Sequence, residues 1–147
     1  MLQNQVFSLE AHFHFNDCDP AGIFYFGNVP NLCHRTYENW LTSLKKDWGF
    51  WFNNSEWIIP IKNCQVDYQN PMKAGEPYLI QMVVGQMSQS SFTTQYRAVY
   101  PKTQTPYFKA EIVHVFVDKK SFQKTTIPMS IRSLFEPYLK AGTHENR

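Results

Sequence analysis

Along residues 5–15 apolar side chains recur at every second position: Phe7, Leu9, Ala11, Phe13 and Phe15. A period of two marks a half-buried strand. The strand is predicted to end in Asn16-Asp17-Cys18-Asp19-Pro20-Ala21-Gly22, where Asp, Pro and Gly favour a tight turn. Over residues 30–48 the period lengthens. Cys33, Tyr37, Trp40, Leu41, Leu44 and Trp48 fall three or four apart and form one face of an amphipathic helix, with Arg35, Glu38, Thr42 and Lys46 opposite. Asn28 is placed to cap that helix, Pro30 is tolerated in its first turn, and Gly49 is a natural stop.

After an aromatic loop over residues 50–54, strand-like segments follow at 57–68, 78–86, 92–100 and 107–117. Turn residues separate them: Asn70-Pro71 with Ala74-Gly75-Glu76, then Ser88-Gln89-Ser90-Ser91, then 101–106, then Asp118-Lys119-Lys120. A short helix is predicted at 131–139. One strand, one long helix and four strands joined by short turns predict an α+β fold, an antiparallel sheet of about five strands wrapped on a long helix. The expectation is a single domain over 1–140 with a flexible polar tail over 141–147.

The 147 residues suit one hydrophobic core, and an aromatic share of 16% leaves large rings to spare for a pocket or an interface. Net charge is only +2, and Lys and Arg are never grouped beyond the pairs Lys45-Lys46 and Lys119-Lys120, so nucleic acid is not an expected partner. No basic stretch leads into an apolar one at the N-terminus, and no apolar run is long enough for a bilayer. Three cysteines without a CxxC pair fit a reducing compartment. A soluble, cytoplasmic protein with no membrane partner is expected.

Several catalytic patterns are missing: GxSxG, GxxxxGK[ST], GxGxxG, HExxH and paired CxxC. The informative stretch is the junction before the long helix, which ends Ile23-Phe24-Tyr25-Phe26-Gly27-Asn28. Free backbone N–H groups at a helix start can polarise a carbonyl oxygen, and Gly27 permits close approach. An aspartate held opposite can attack as a nucleophile or draw a proton from water. Asp17 and Asp19 are also the residues a turn prefers, so spacing alone leaves a purely turn-building role open.

The stretch Asp17-Cys-Asp-Pro-Ala-Gly-Ile-Phe-Tyr-Phe-Gly-Asn28 resembles the signature of the 4-hydroxybenzoyl-CoA thioesterase family, which has the hotdog fold. Ile59-Pro60-Ile61, then Val66-Asp67-Tyr68-Gln69-Asn70-Pro71 with Gly75-Glu76, and the closing Ile127-Pro128 resemble further elements of that family. Tyr25-Phe26 and Cys33-His34-Arg35-Thr36-Tyr37-Glu38 look most like the 1,4-dihydroxy-2-naphthoyl-CoA hydrolases within it. The resemblance implies that Asp19 is the catalytic carboxylate and that the backbone N–H groups of Phe26 and Gly27 polarise the thioester carbonyl. Tyr25, Asn28, His34 and Pro60 are the candidate acyl-pocket residues: Tyr25 flanks the proposed catalytic turn, and His34, at the edge of the helix's apolar stripe, reads equally as a pocket hydrogen-bond partner and as a boundary histidine. The implied reaction is hydrolysis of an acyl-CoA, with an aromatic acyl group favoured because Phe26 stands where many short-chain relatives carry His. It also implies a homodimer or homotetramer with the site at a subunit interface, and no cofactor beyond the CoA of the substrate.

Three alternatives stay open: a carrier-protein thioester, a short-chain acyl-CoA, or a non-catalytic acyl-CoA-binding module. Some relatives hold the CoA phosphates with basic residues at the turn that here reads Ser88-Gln89-Ser90-Ser91. That turn is uncharged, and Lys73, Arg97 and Lys124 are the candidates in its place. His12 and His14, two apart on a strand, read as surface groups rather than metal ligands, and no metal is expected. Cys18, between two aspartates, reads as structural, and Cys33 and Cys64 fall on predicted core faces.

Overall fold

The computed structural model describes residues 4–141. Its elements run β1 (Phe7–His12), α1 (Val29–Ser43), α2 (Trp48–Phe52), β2 (Trp57–Ile58), β3 (Ile61–Tyr68), β4 (Pro77–Met87), β5 (Ser91–Val99), β6 (Pro106–Val115), β7 (Val117–Asp118) and α3 (Met129–Phe135). Five strands form one antiparallel sheet in the order β1-β4-β5-β6-β3, and β2 pairs separately with β7. This is the long helix on a five-stranded antiparallel sheet that the sequence predicts. Of the expected tail only Ala141 is described, and residues 142–147 lie outside the described residues.

Helix α1 buries Val29, Leu32, Cys33, Thr36, Tyr37, Trp40 and Leu41, the side chains that recur at three and four. Thr36 is accommodated on that face because its hydroxyl donates to the Leu32 carbonyl at 2.9 Å. The sheet answers with alternate residues of its central strands. Ile80, Met82 and Val84 of β4, Phe92, Thr94, Tyr96 and Ala98 of β5, and Phe108, Ala110, Ile112 and His114 of β6 are all buried. Helix α3 closes the far end, where Phe135 packs 4.7 Å from Trp40 and 4.9 Å from Phe92, ring centre to ring centre.

Six expectations give way. The helix stops at Ser43 and not near Gly49, because Lys45 takes a left-handed φ of 62° that no α-helix continues through. The chain then restarts as α2 inside the predicted loop, capped by Asp47, whose carboxylate accepts the Phe50 N–H at 2.7 Å. The predicted strand 57–68 breaks at Ile59-Pro60, since proline offers no N–H to a ladder. Phe15 is 79% exposed because β1 ends at His12 and a 3-10 turn over Phe15–Asp17 resets the alternation. Cys64 is exposed as well, for β3 is the edge strand and only Val66 along it is even partly buried. Asn28 makes no side-chain cap on α1; its amide is used elsewhere.

His114 gives the core a pH dependence. Its ring is 1% exposed, stacked 4.6 Å from Tyr37 and 4.6 Å from Phe92, and its Nε2 shares a 2.9 Å hydrogen bond with Thr94 Oγ1. Burial, and secondarily the charge of His34, pushes its pKa down from 6.5 to about 3. The folded ring is therefore neutral, whereas the unfolded chain takes up the proton below pH 6.5. Stability carried by this group is complete above that pH and is lost as pH falls towards 3. Urea unfolding should show a loss of about 1.4 kcal/mol per pH unit below the unfolded pKa. His114→Gln should flatten that slope, and an unchanged slope in the variant would contradict the assignment.

Candidate active site

Three backbone hydrogen bonds pin the turn between β1 and α1 to the 72–75 segment that joins β3 to β4. Gly75 N–H donates to the Phe13 carbonyl at 2.8 Å, Ala74 N–H to Gly22 at 3.0 Å, and Phe24 N–H to Met72 at 2.7 Å. The turn also closes on itself. Asp19 N–H donates to the Ile23 carbonyl at 2.7 Å, and Gly22, with a φ of 76°, donates to Asp19 at 2.9 Å. Only glycine takes that conformation without strain. Asn28, predicted as a helix cap and pocket residue, instead donates from its amide to the Asp17 carbonyl at 3.1 Å, which also accepts from Tyr25 N–H at 3.0 Å. It ties the two ends of the turn together.

Asp19 is half-buried at the tip. Its Oδ1 accepts from Ala21 N–H at 2.9 Å and Ile23 N–H at 3.2 Å, leaving Oδ2 without a hydrogen bond among the described residues. One oxygen builds the turn and the other is open, so the structural and chemical readings of this carboxylate are compatible.

The second half of the turn is a 3-10 turn over Phe26–Asn28 that runs into α1. Two carbonyls at its start are engaged: that of Tyr25, the residue before it, accepts from Asn28 N–H at 2.9 Å, and that of Phe26 accepts from Val29 N–H. The N–H groups of Phe26 and Gly27 have no partner among the described residues. These are unspent donors at the start of a 15-residue helix, where the dipole adds positive potential. A side chain on Gly27 would come within 2.6 Å of the Tyr25 ring, which lies over it. Phe26 is 62% exposed, with its ring 4.9 Å from that of Tyr25.

The structure thus brings Asp19, Tyr25, Phe26, Gly27 and Asn28 into one turn. It does not bring in His34 or Pro60. His34 stands on the exposed face of α1, 3.1 Å from Glu38, and Pro60 lies between β2 and β3 with its carbonyl taken by Val115 N–H at 3.0 Å. Lys73 flanks the turn, bridged to Ile23, whereas Arg97 and Lys124 belong to β5 and to the segment beside β7. Cys18 donates to the His14 carbonyl at 3.3 Å, and burial, then the charges of Asp19 and Asp17, raise its thiol pKa, as befits a structural group. The His12 and His14 rings stack 4.7 Å apart beside a cavity of about 40 Å³ that Asp17, Asn28, Arg35 and Tyr78 also line. Among the described residues no group of three or more His, Cys, Asp or Glu could hold a metal ion.

One residue of the site escaped the sequence reading. The Tyr68 hydroxyl donates to the Phe26 carbonyl at 2.8 Å across 42 residues of chain, a contact that strand periodicity cannot signal.

The thioesterase-like superfamily model matches residues 13–135. A 1,4-dihydroxy-2-naphthoyl-CoA hydrolase of Crocosphaera subtropica is 30% identical over 119 residues, 80% of this chain and 87% of that protein. One from Nostoc punctiforme is 31% identical over 117 residues, 80% of this chain and 78% of that protein. Among solved structures, a 1,4-dihydroxy-2-naphthoyl-CoA thioesterase from Synechocystis superposes with a TM-score of 0.83 at 22% identity, covering 89% of this chain and 96% of that one. The 4-hydroxybenzoyl-CoA thioesterase of Pseudomonas sp. strain CBS-3 gives 0.75 at 17% identity, covering 88% and 98%. At those identities the superpositions speak for the fold. The chain belongs to the thioesterase-like superfamily and has its hotdog fold.

Proposed function

We propose that this acyl-CoA thioesterase hydrolyses an aromatic acyl-CoA, of hydroxybenzoyl or dihydroxynaphthoyl type, to the free acid and CoA, with Asp19 as its catalytic carboxylate. The observation that carries the reading is the pairing, within one turn, of an open carboxylate oxygen on Asp19 with the unspent N–H groups of Phe26 and Gly27. The thioester oxygen lies against those donors, which stabilise the negative charge that develops as the carbonyl becomes tetrahedral. Asp19 Oδ2 attacks the carbonyl carbon, expelling the CoA thiolate and leaving a mixed anhydride that water hydrolyses to the free acid, or it draws the proton from a water that attacks the carbonyl directly, and the C–S bond then breaks to release the thiolate. Exposed rings of Tyr25, Phe26 and Tyr68 flank this point and favour a planar acyl group. The names of the curated relatives support the same class of substrate. No cofactor enters this scheme.

Asp19→Asn separates catalysis from turn building. The amide oxygen of asparagine can still accept from Ala21 and Ile23, so the turn is kept while the charge is lost. Thiol release across short, long and aromatic acyl-CoAs should show preferential aromatic turnover that falls about 10²- to 10⁴-fold in this variant. A loss of only a few-fold would contradict the role of Asp19. Failure of the wild type on every CoA ester would move the reading to a carrier-protein substrate or a binding module.

We place the enzyme in the cytoplasm, a reading that the three unpaired cysteines favour. No helix of the described residues is long and apolar enough to cross a membrane. We also infer a homodimer or homotetramer. Strand β3 pairs on one side only, and its exposed length includes Ile61, Cys64 and Tyr68. A free edge of eight residues is an invitation to pair. Light scattering at micromolar concentration should return a dimer or tetramer mass, and a monomer would contradict the inference.

A further inference from the structure

The Phe26–Gly27 peptide is the part of the site with least intrinsic stiffness, because glycine does not resist rotation of the plane that precedes it. Yet its orientation decides whether the Gly27 N–H faces a substrate. In a trans peptide the C=O and the following N–H point in opposite directions, so whatever grips the Phe26 oxygen aims the Gly27 N–H.

Two donors grip it. Val29 N–H closes the 3-10 turn from within the same segment, and the Tyr68 hydroxyl reaches the same oxygen at 2.8 Å from the end of β3. The Tyr68 and Phe26 rings also meet edge to face, 6.2 Å apart at 80°. The local bond sets the turn, whereas the long-range bond ties the peptide plane to the sheet. Donors on a carbonyl polarise the whole amide, so the same contact strengthens the N–H at its other end. Burial, with the thiols of Cys64 and Cys33 adding, raises the Tyr68 pKa above 10.0, which keeps the hydroxyl a donor at neutral and mildly alkaline pH.

We propose that Tyr68 is a positioning residue for thioester hydrolysis, its hydroxyl holding the Phe26–Gly27 peptide so that the Gly27 N–H faces the thioester oxygen. The role rests on the thioesterase reading given above. It concerns the transition state more than the ground state, since charge on the carbonyl oxygen grows as the tetrahedral centre forms.

The test is Tyr68→Phe, which removes one oxygen and keeps the ring against Phe26. With the preferred acyl-CoA, kcat should fall about tenfold while KM stays within about twofold. Affinity for a CoA-linked trifluoromethyl ketone, which becomes tetrahedral, should fall by the same factor as kcat, with affinity for free CoA unchanged. Rates are compared per assembled oligomer, fixed by light scattering, so that any weakening of assembly does not enter the result. An unchanged kcat, a loss confined to KM, or an equal loss of affinity for free CoA would each overturn the role of Tyr68 and leave the thioesterase reading standing. A wild type that turns over no acyl-CoA would overturn that reading and the role of Tyr68 with it.

Discussion

The unspent N–H groups of Phe26 and Gly27 are the feature on which the rest of the site depends. Backbone donors are normally satisfied within the fold, and the two left open here belong to an exposed helix start, where water or a bound oxygen can accept from them. The structure holds them in place by pinning both ends of the turn. Phe13, Gly22 and Phe24 are hydrogen-bonded to the 72–75 segment, Asn28 binds back to Asp17, and Phe26 is held by Val29 and Tyr68. Helix α1 can then begin at a fixed point because seven of its side chains are locked against the sheet. Packing in the core fixes the helix, the helix fixes the turn, and the turn presents donors and carboxylate together.

The same turn lies beside the open edge of the sheet. Tyr68 ends β3, the outermost strand, and is 47% exposed, as Phe26 and Tyr25 are exposed next to it. Large rings left in the open around a reactive centre fit both a flat acyl group and a neighbouring subunit. In the assembly proposed above the site and the subunit surface are one region, tied to β3 by the hydroxyl and the ring of Tyr68.

Much of this was legible in the sequence because it is local. Spacings of three and four marked the buried face of α1 from Cys33 to Leu41, and alternation marked β4 to β6. The run from Asp17 to Asn28 carries turn chemistry, a family resemblance and the catalytic candidates at once. What was not legible depends on distance or on unusual backbone. Lys45 ends the helix in a conformation that its residue type does not announce. Cys64 reads as core from its neighbours but stands on an edge strand, a fact of sheet order and not of periodicity. His34 and Pro60 are candidate pocket residues that the fold places outside the turn. Tyr68 and its bond to Phe26 join positions 42 apart, and His114 meets Thr94 from 20 residues away. Such contacts exist only once the sheet has formed.

The most direct measurement is a crystal structure of Asp19→Asn with an aromatic acyl-CoA bound. The thioester oxygen should lie about 3 Å from the Gly27 nitrogen, with its carbonyl carbon facing the side chain at position 19. A thioester oxygen more than about 5 Å from both the Phe26 and Gly27 nitrogens would contradict the account, because no hydrogen bond reaches that far.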